Sequence, residues 1–471
     1  MNASRFRQIL PAVVYVTLGA LLLLFTPTIG SARDLDPLVV KSELPAGVVT
    51  LKTLARTDDP VVVRGNDLPG MLGRPAFGIR AYALREGALA IIPSQADEFD
   101  DKGRIISTNG NNPSKDEDDG KLDSNDELVV MASDLGAKAS RALFPRTARA
   151  AAEIEAIDPL TGEKGWFYLF DFDDPPEAST VSYVHYDPAE DLVDSSLYRV
   201  DFNPEHAILI DDMRLKSSSG DEGPNLIDRI KARTVLKSRL YLTFHFNEED
   251  ITTKVAAYKI GPIRVVRATE YYLKILFLKV TPSAYVDYLF YSNAIVGPSE
   301  MKIPFNPKLV LRGGSESWSG LDFDSNVYGW SFYTEGHPEP VVLNGSKMKG
   351  VGETREGVRW FALYGENAGT LLRIVYGPTL VDAKLPYVFF YRDDATRDDA
   401  PEREKGETLL GYYMDIQRIP KGEHKFWFYQ YFAAPYKPGD EKKFNDIVDH
   451  PLEVKAQAMS LPKTAAMMSQ R

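Results

Sequence analysis

Hydrophobic and polar positions alternate along most of the chain with a period of two. Phe244, Phe246, Tyr258, Ile260, Ile263, Val265, Tyr271, Leu273, Ile275, Phe277, Leu278 and Val280 fall in such runs, rich in β-branched and aromatic residues, the pattern of half-buried strands. Comparable runs cover 166–172, 180–186, 196–202, 285–291, 358–364, 370–376, 387–391 and 424–432. Pro, Gly, Asn and Asp punctuate them, and short strands joined by turn residues predict a β-sandwich. Residues 153–158 and 165–172 flank the turn Pro159-Leu-Thr-Gly-Glu-Lys164 and predict a hairpin that opens a second domain. The one persuasive helical candidate is 226–236, where Leu226, Ile227, Ile230 and Val235 fall near one face after Pro224, with a strand-connecting loop as the alternative for its basic residues.

The fold class expected is mainly β, a small N-terminal β domain followed by a large, supersandwich-like β-sandwich region. The Ala-rich stretch 137–152 separates the first domain, 33–148, from the second, 149–451. A Gly/Ser/Asp-rich segment at 315–326 is the natural place to split the second into two modules. Residues 452–471 lack a clear strand pattern and are expected to form a flexible tail.

Residues 1–32 are different in kind. Arg5 and Arg7 precede the apolar run 12–25, and small residues follow at Gly30 and Ala32; this is a signal-peptide layout with cleavage expected near Ala32. The run is shorter than the roughly 20 apolar residues of a spanning helix, and an uncleaved anchor is the alternative. No later segment has the length and apolarity to span a membrane. The expected location is therefore the periplasm, the cell surface or the exterior.

The chain has no cysteine, which excludes disulfides, lipoprotein acylation and thiol catalysis. A chain of this size buries a sufficient core without cross-links. Its net charge of −12 becomes −14 once Arg5 and Arg7 leave with the leader, so nonspecific binding to nucleic acid or to anionic lipid is not expected. Neither a Gly-x-Ser-x-Gly elbow, a phosphate loop nor a dinucleotide fingerprint occurs in a strand-to-helix setting, so no nucleotide cofactor is expected. None of the six histidines pairs at the spacing of a zinc-binding helix.

The densest polar segment is 115–127, Lys-Asp-Glu-Asp-Asp-Gly-Lys-Leu-Asp-Ser-Asn-Asp-Glu, with seven carboxylates around Gly120. With that glycine at the sixth position of an EF-type loop, Glu117, Asp119, Asp123 and Asp126 occupy four of the five side-chain ligand positions and Leu122 is the apolar anchor. Lys115 stands at the first position, where calcium needs an oxygen. The expectation is a Ca2+-stabilised loop, with a solvated acidic turn as its alternative.

This loop sits between Ile91-Ile-Pro-Ser-Gln-Ala-Asp-Glu98 and Asn125-Asp-Glu-Leu-Val-Val-Met-Ala-Ser-Asp-Leu-Gly136. The two segments resemble a motif pair of uncharacterised exported β-rich proteins, in which an Ile-Pro-x-Gln-x-Asp-Glu strand precedes an Asp-Gly loop and an Asp-Glu-Leu-Val-Phe-Met strand. Val130 stands here at the Phe position. The resemblance covers about a tenth of the chain and implies no activity. On such a strand Gln95 and Asp97 project to one side and Glu98 to the other, which suits pinning the acidic loop to the sheet.

Candidate binding residues come from two further patterns. Trp318, Trp330 and Tyr333 lie in a turn-rich region, where exposed aromatics stack on sugar rings and buried ones pack a sandwich core. Arg264 and Arg267, in Gly-Pro-Ile-Arg-Val-Val-Arg, suit the carboxylate-neutralising role of a uronic-acid lyase with Tyr271 or Tyr288, or ordinary ion pairs. Asp322 with Asp324, or Asp171 with Asp173, are the carboxylate pairs available to a glycosidase. The functional expectation is an exported, non-enzymatic binding or cell-envelope protein whose partner is a polysaccharide or an envelope protein. A polysaccharide-active lyase or glycosidase, and a subunit of an exported complex, are the alternatives.

Overall fold

The computed structural model describes residues 50–100, 103–114, 120–275, 278–279, 284–303, 306–347, 352–398 and 405–462. The predicted leader, Glu117 and Asp119 lie outside the described residues. Strands take 49% of the chain and helices 10%, and every sheet pairs its strands antiparallel, so the architecture is β-rich throughout. Among the described residues no helix is long and apolar enough to cross a membrane.

The first unit packs two sheets. One runs Pro60–Arg64, Glu127–Met131, Gln95–Asp97, and the other runs Glu453–Met459, Ala150–Ile157, Lys164–Asp171, Ile79–Arg85, Ala88–Ile91. Val61, Val63, Leu128 and Val130 meet Ala81, Ala83, Ile154, Phe167 and Leu169 between them. Two expectations are corrected here. The hairpin at 150–171 belongs to this first unit and does not open the second. Residues 453–459 are a strand, not a flexible tail: Glu453 pairs with Ile157 and Met459 with Ala151, while Val454 and Ala456 pack on the core.

The rest forms a large sandwich. A six-stranded sheet runs Thr243–Phe246, Ile227–Lys237, Glu316–Phe323, Glu407–Asp415, Val388–Asp394, Glu353–Glu356. It faces a ten-stranded sheet with Gly422–Ala433 near its middle. A four-stranded meander, Val184–Asp187 to Ile210–Leu215, contributes Tyr198, Val200 and Met213 to the core that also holds Phe290, Phe332, Phe361 and Phe389. The ten-stranded sheet is covered on its other face as well. Val129 and Met131 of the first unit and Phe444 of the helix Glu441–Asp449 pack there against Tyr431 and Leu371.

The predicted helix at 226–236 is instead the strand Ile227–Lys237. Ile230 packs on the core, while Lys231 and Arg233 are buried by partners instead of facing solvent, which defeats a reading based on apolar spacing. The proposed split at 315–326 also fails. Glu316–Phe323 is an internal strand of the six-stranded sheet, hydrogen-bonded to Ile227–Lys237 on one side and Glu407–Asp415 on the other.

Candidate functional site

A cleft of about 500 Å³ opens where the meander meets the turn-rich segment around Trp330. Asp324 caps a helical turn, Ser325–Val327, by accepting the Asn326 N–H at 2.8 Å. The chain then turns back, with the Trp330 N–H donating to the Val327 carbonyl at 2.9 Å. The half-buried indole lies over Gly365, where any Cβ would fall within 2.5 Å of the ring. A glycine there leaves room for the ring, which also packs on the core of the sandwich.

The opposite wall is the loop after the strand Ile210–Leu215. The Ser217 N–H donates to the Asp221 carbonyl at 2.9 Å, the Asp221 N–H to Ser217 Oγ at 3.2 Å, and Ser219 Oγ to Asp221 Oδ2 at 2.5 Å. Glu222 adds a second carboxylate, 3.5 Å from Arg214. A third wall is the hairpin turn with Glu366 and Asn367, closed by the Gly365 N–H donating to the Ala368 carbonyl at 3.0 Å. Leu215, Leu226 and Ala368 form an apolar floor. One aromatic wall facing carboxylates, hydroxyls and an amide can offer both a stacking surface and acceptors for hydroxyl groups.

Trp318 and Tyr333 are not part of this cleft. Tyr333 is a core residue whose hydroxyl lies 2.8 Å from that of Tyr436 and donates to Glu441 at 2.6 Å. Trp318 stands on the outer face of the six-stranded sheet, stacked on Phe390 with ring centroids 5.8 Å apart and with Arg392 5.9 Å from its ring. Beside it lies a buried ion cluster. Lys231 Nζ is 2.7 Å from Asp322 and 3.6 Å from Glu407, which also pairs with Arg392 and, at 2.9 Å, with Arg397. Burial pushes the Asp322 carboxyl up to about 7, against the pull of Lys231. Asp322 and Asp324 have separate partners, so they do not form the suggested glycosidase pair. Asp171 and Asp173 are likewise engaged, both by Arg149 and Asp171 also by Arg74 at 2.6 Å.

Arg264 and Arg267 are both buried and both occupied. Arg267 pairs with Asp191 and lies 3.7 Å over the Phe202 ring. Arg264 is the bolt between the two units. Its Nε donates to Asp97 at 2.7 Å, one terminal nitrogen to Glu127 at 2.8 Å and the other to Tyr291 at 2.9 Å. Gln95 completes the socket by donating to Asp97 at 2.9 Å and accepting the Arg264 N–H at 3.0 Å. Burial alone would raise the Asp97 carboxyl, but Arg264, Lys259 and Gln95 outweigh it and hold the group below the usual range. Thus Gln95 and Asp97 do project together, toward Arg264, which also holds Glu127 at the end of the acidic segment.

The described half of that loop is pinned elsewhere. Leu122 is buried, and its backbone pairs with Gly73 and Arg74. Asp126 accepts the Phe99 N–H at 3.0 Å and the Asp123 N–H at 2.6 Å. Among the described residues no group of three or more His, Cys, Asp or Glu is arranged to hold a metal ion.

No family model matches the chain, and no curated protein matches it. Among solved structures it is similar to an α-mannosidase from Enterococcus faecalis, with a TM-score of 0.43 and 9% identity over 88% of this chain and 46% of that one. A glycosyl hydrolase family 38 protein from the same organism aligns at a TM-score of 0.43 and 8% identity, over 88% of this chain and 48% of its own. A family 92 glycosyl hydrolase aligns at 0.24 and 11%, over 54% and 31%. The chain thus spans about half the length of the first two.

Proposed function

We propose that this is an exported carbohydrate-binding protein and that the Trp330 cleft receives a sugar residue. The observation that carries the reading is the half-buried indole, lying over Gly365 and facing a rim of Asp221, Glu222, Glu366 and Asn367. An aromatic plane takes the apolar face of a pyranose, while carboxylates and amides take its hydroxyls. Soluble oligosaccharides should quench tryptophan fluorescence, and Trp330→Ala should abolish that response in a protein that still folds, with a lowered melting temperature because the ring also packs on the core. Trp318→Ala should leave the response in place. No response across a broad glycan panel would end the reading. Release of reducing ends that Glu366→Gln abolishes would turn it into a glycosidase.

Calcium at the acidic loop belongs to the same proposal, with Glu117, Asp119, Asp123 and Asp126 as its ligands. A carboxylate that accepts two N–H bonds, as Asp126 does, retains lone pairs for a cation. Calcium at a hundredfold excess over its dissociation constant should add about 2.7 kcal/mol of stability. An equal response to magnesium would mark a screened acidic turn instead.

A further inference from the structure

The hairpin that joins Ile227–Lys237 to Thr243–Phe246 ends in an exposed apolar tip. Leu240 is 54% exposed, Tyr241 82% and Leu242 43%. The turn is tight: the Ser238 N–H donates to the Leu242 carbonyl at 2.8 Å, the Tyr241 N–H donates to the Ser238 carbonyl at 3.0 Å, and Tyr241 takes a left-handed φ of +60°. A short helical turn, Pro307–Val310, lies alongside and presents Leu309, 73% exposed. The two are tied by the Arg239 N–H donating to the Val310 carbonyl at 2.9 Å and Arg239 Nε to the Lys308 carbonyl at 3.0 Å. Beneath them Leu236, Leu311 and Ile416 form a small core of their own. The tip is therefore a supported projection, and among the described residues nothing buries its apolar side chains.

Its charge runs against that of the molecule. Segments 237–242 and 308–314 carry Lys237, Arg239, Lys308 and Arg312 and no carboxylate, in a chain of net charge −12. Among the described residues none of the four is in an ion pair, and the Arg312 guanidinium lies 5.4 Å from the Tyr241 ring centroid. Leucines and a tyrosine at a narrow tip, with cations set behind them, match the depth profile of an anionic bilayer surface: acyl chains first, phosphates next. A protein partner would require a wide face, since stable interfaces bury on the order of 1,000 Å² or more, and four side chains on a projecting turn do not provide one.

We infer that the tip formed by Leu240, Tyr241, Leu242 and Leu309, with Lys237, Arg239, Lys308 and Arg312, docks the protein on a membrane surface rich in anionic phospholipid. The inference is independent of the sugar-binding reading. The test is sedimentation of the full chain with vesicles of phosphatidylglycerol and phosphatidylcholine, and with phosphatidylcholine alone. Binding should require the anionic lipid and fall with salt. Arg239→Gln should weaken it about fivefold, the loss of one interfacial cation. Leu240→Ser with Leu242→Ser should weaken it by an order of magnitude or more, with the circular dichroism melt unchanged. No sedimentation with anionic vesicles, equal binding to neutral ones, or equal binding by the double variant would overturn the proposal. Capture of an acidic protein through the same leucines, with no vesicle binding, would assign the tip to a protein partner and also overturn it.

Discussion

Around Arg264 the fit is steric as well as ionic. Gly261 lies so close to Gln95 that a Cβ at this position would overlap the Gln95 amide. Gly261→Ala should therefore destabilise the protein by about 1–3 kcal/mol, the usual cost of overpacking. In a Gln95→Ala background most of that cost should vanish, and a double-mutant cycle in urea measures the coupling. A different test applies to Asp322, whose folded-state carboxyl is raised to about 7 from an ordinary 3.8. A raised acid binds its proton more tightly in the folded protein, so its contribution is full below about 4 and is lost as pH rises toward 7. Urea melts at pH 5 and pH 8 should show a smaller pH-dependent loss of stability in Asp322→Asn than in the parent.

Among elements, the strand Glu453–Met459 carries the clearest consequence. It covers one edge of the strand Ala150–Ile157, and an uncovered edge is a template for aggregation. A chain ending at Leu452 should melt earlier and sediment as aggregates, which light scattering during a thermal ramp would detect. The pattern for this strand was present: Val454 and Ala456 alternate with Glu453, Lys455 and Gln457, but an alanine is a weak strand signal. The helix Glu441–Asp449 was also there to be read, in Phe444, Ile447 and Val448 at helical spacing. Most strands were legible because alternation reports one buried face directly. The strand Ile227–Lys237 was not, because its charged residues are buried in ion pairs that no local pattern announces. In the cleft, Trp330 was legible as an aromatic among turn residues. Asp221, Glu222, Glu366 and Asn367 were not, since only the topology brings the meander loop and a later hairpin turn to one place.

For the whole molecule, the buried junction couples the two units. Val129 and Met131 of the first unit share a core with Tyr431 of the second, and Arg264 joins Asp97 and Glu127 across it. Calorimetry should show one cooperative transition. Arg264→Ala, which removes the guanidinium shared by Asp97 and Glu127 and leaves Asp97 with Lys259 as its cation, at a cost of about 3–5 kcal/mol, should separate it into two. The first unit also draws on both ends of the described chain, because the strand Glu453–Met459 closes a sheet begun by Ile79–Arg85. A ribosome delivers those pieces in order, so this unit cannot be completed until Glu453–Met459 has emerged, after the strands of the sandwich. Until Glu453 arrives, the strand Ala150–Ile157 must wait with one edge open. A nascent chain stalled or clipped before Glu453 would leave that edge bare, so damage at 453–459 would appear as misfolding of the unit that holds Pro60–Arg64.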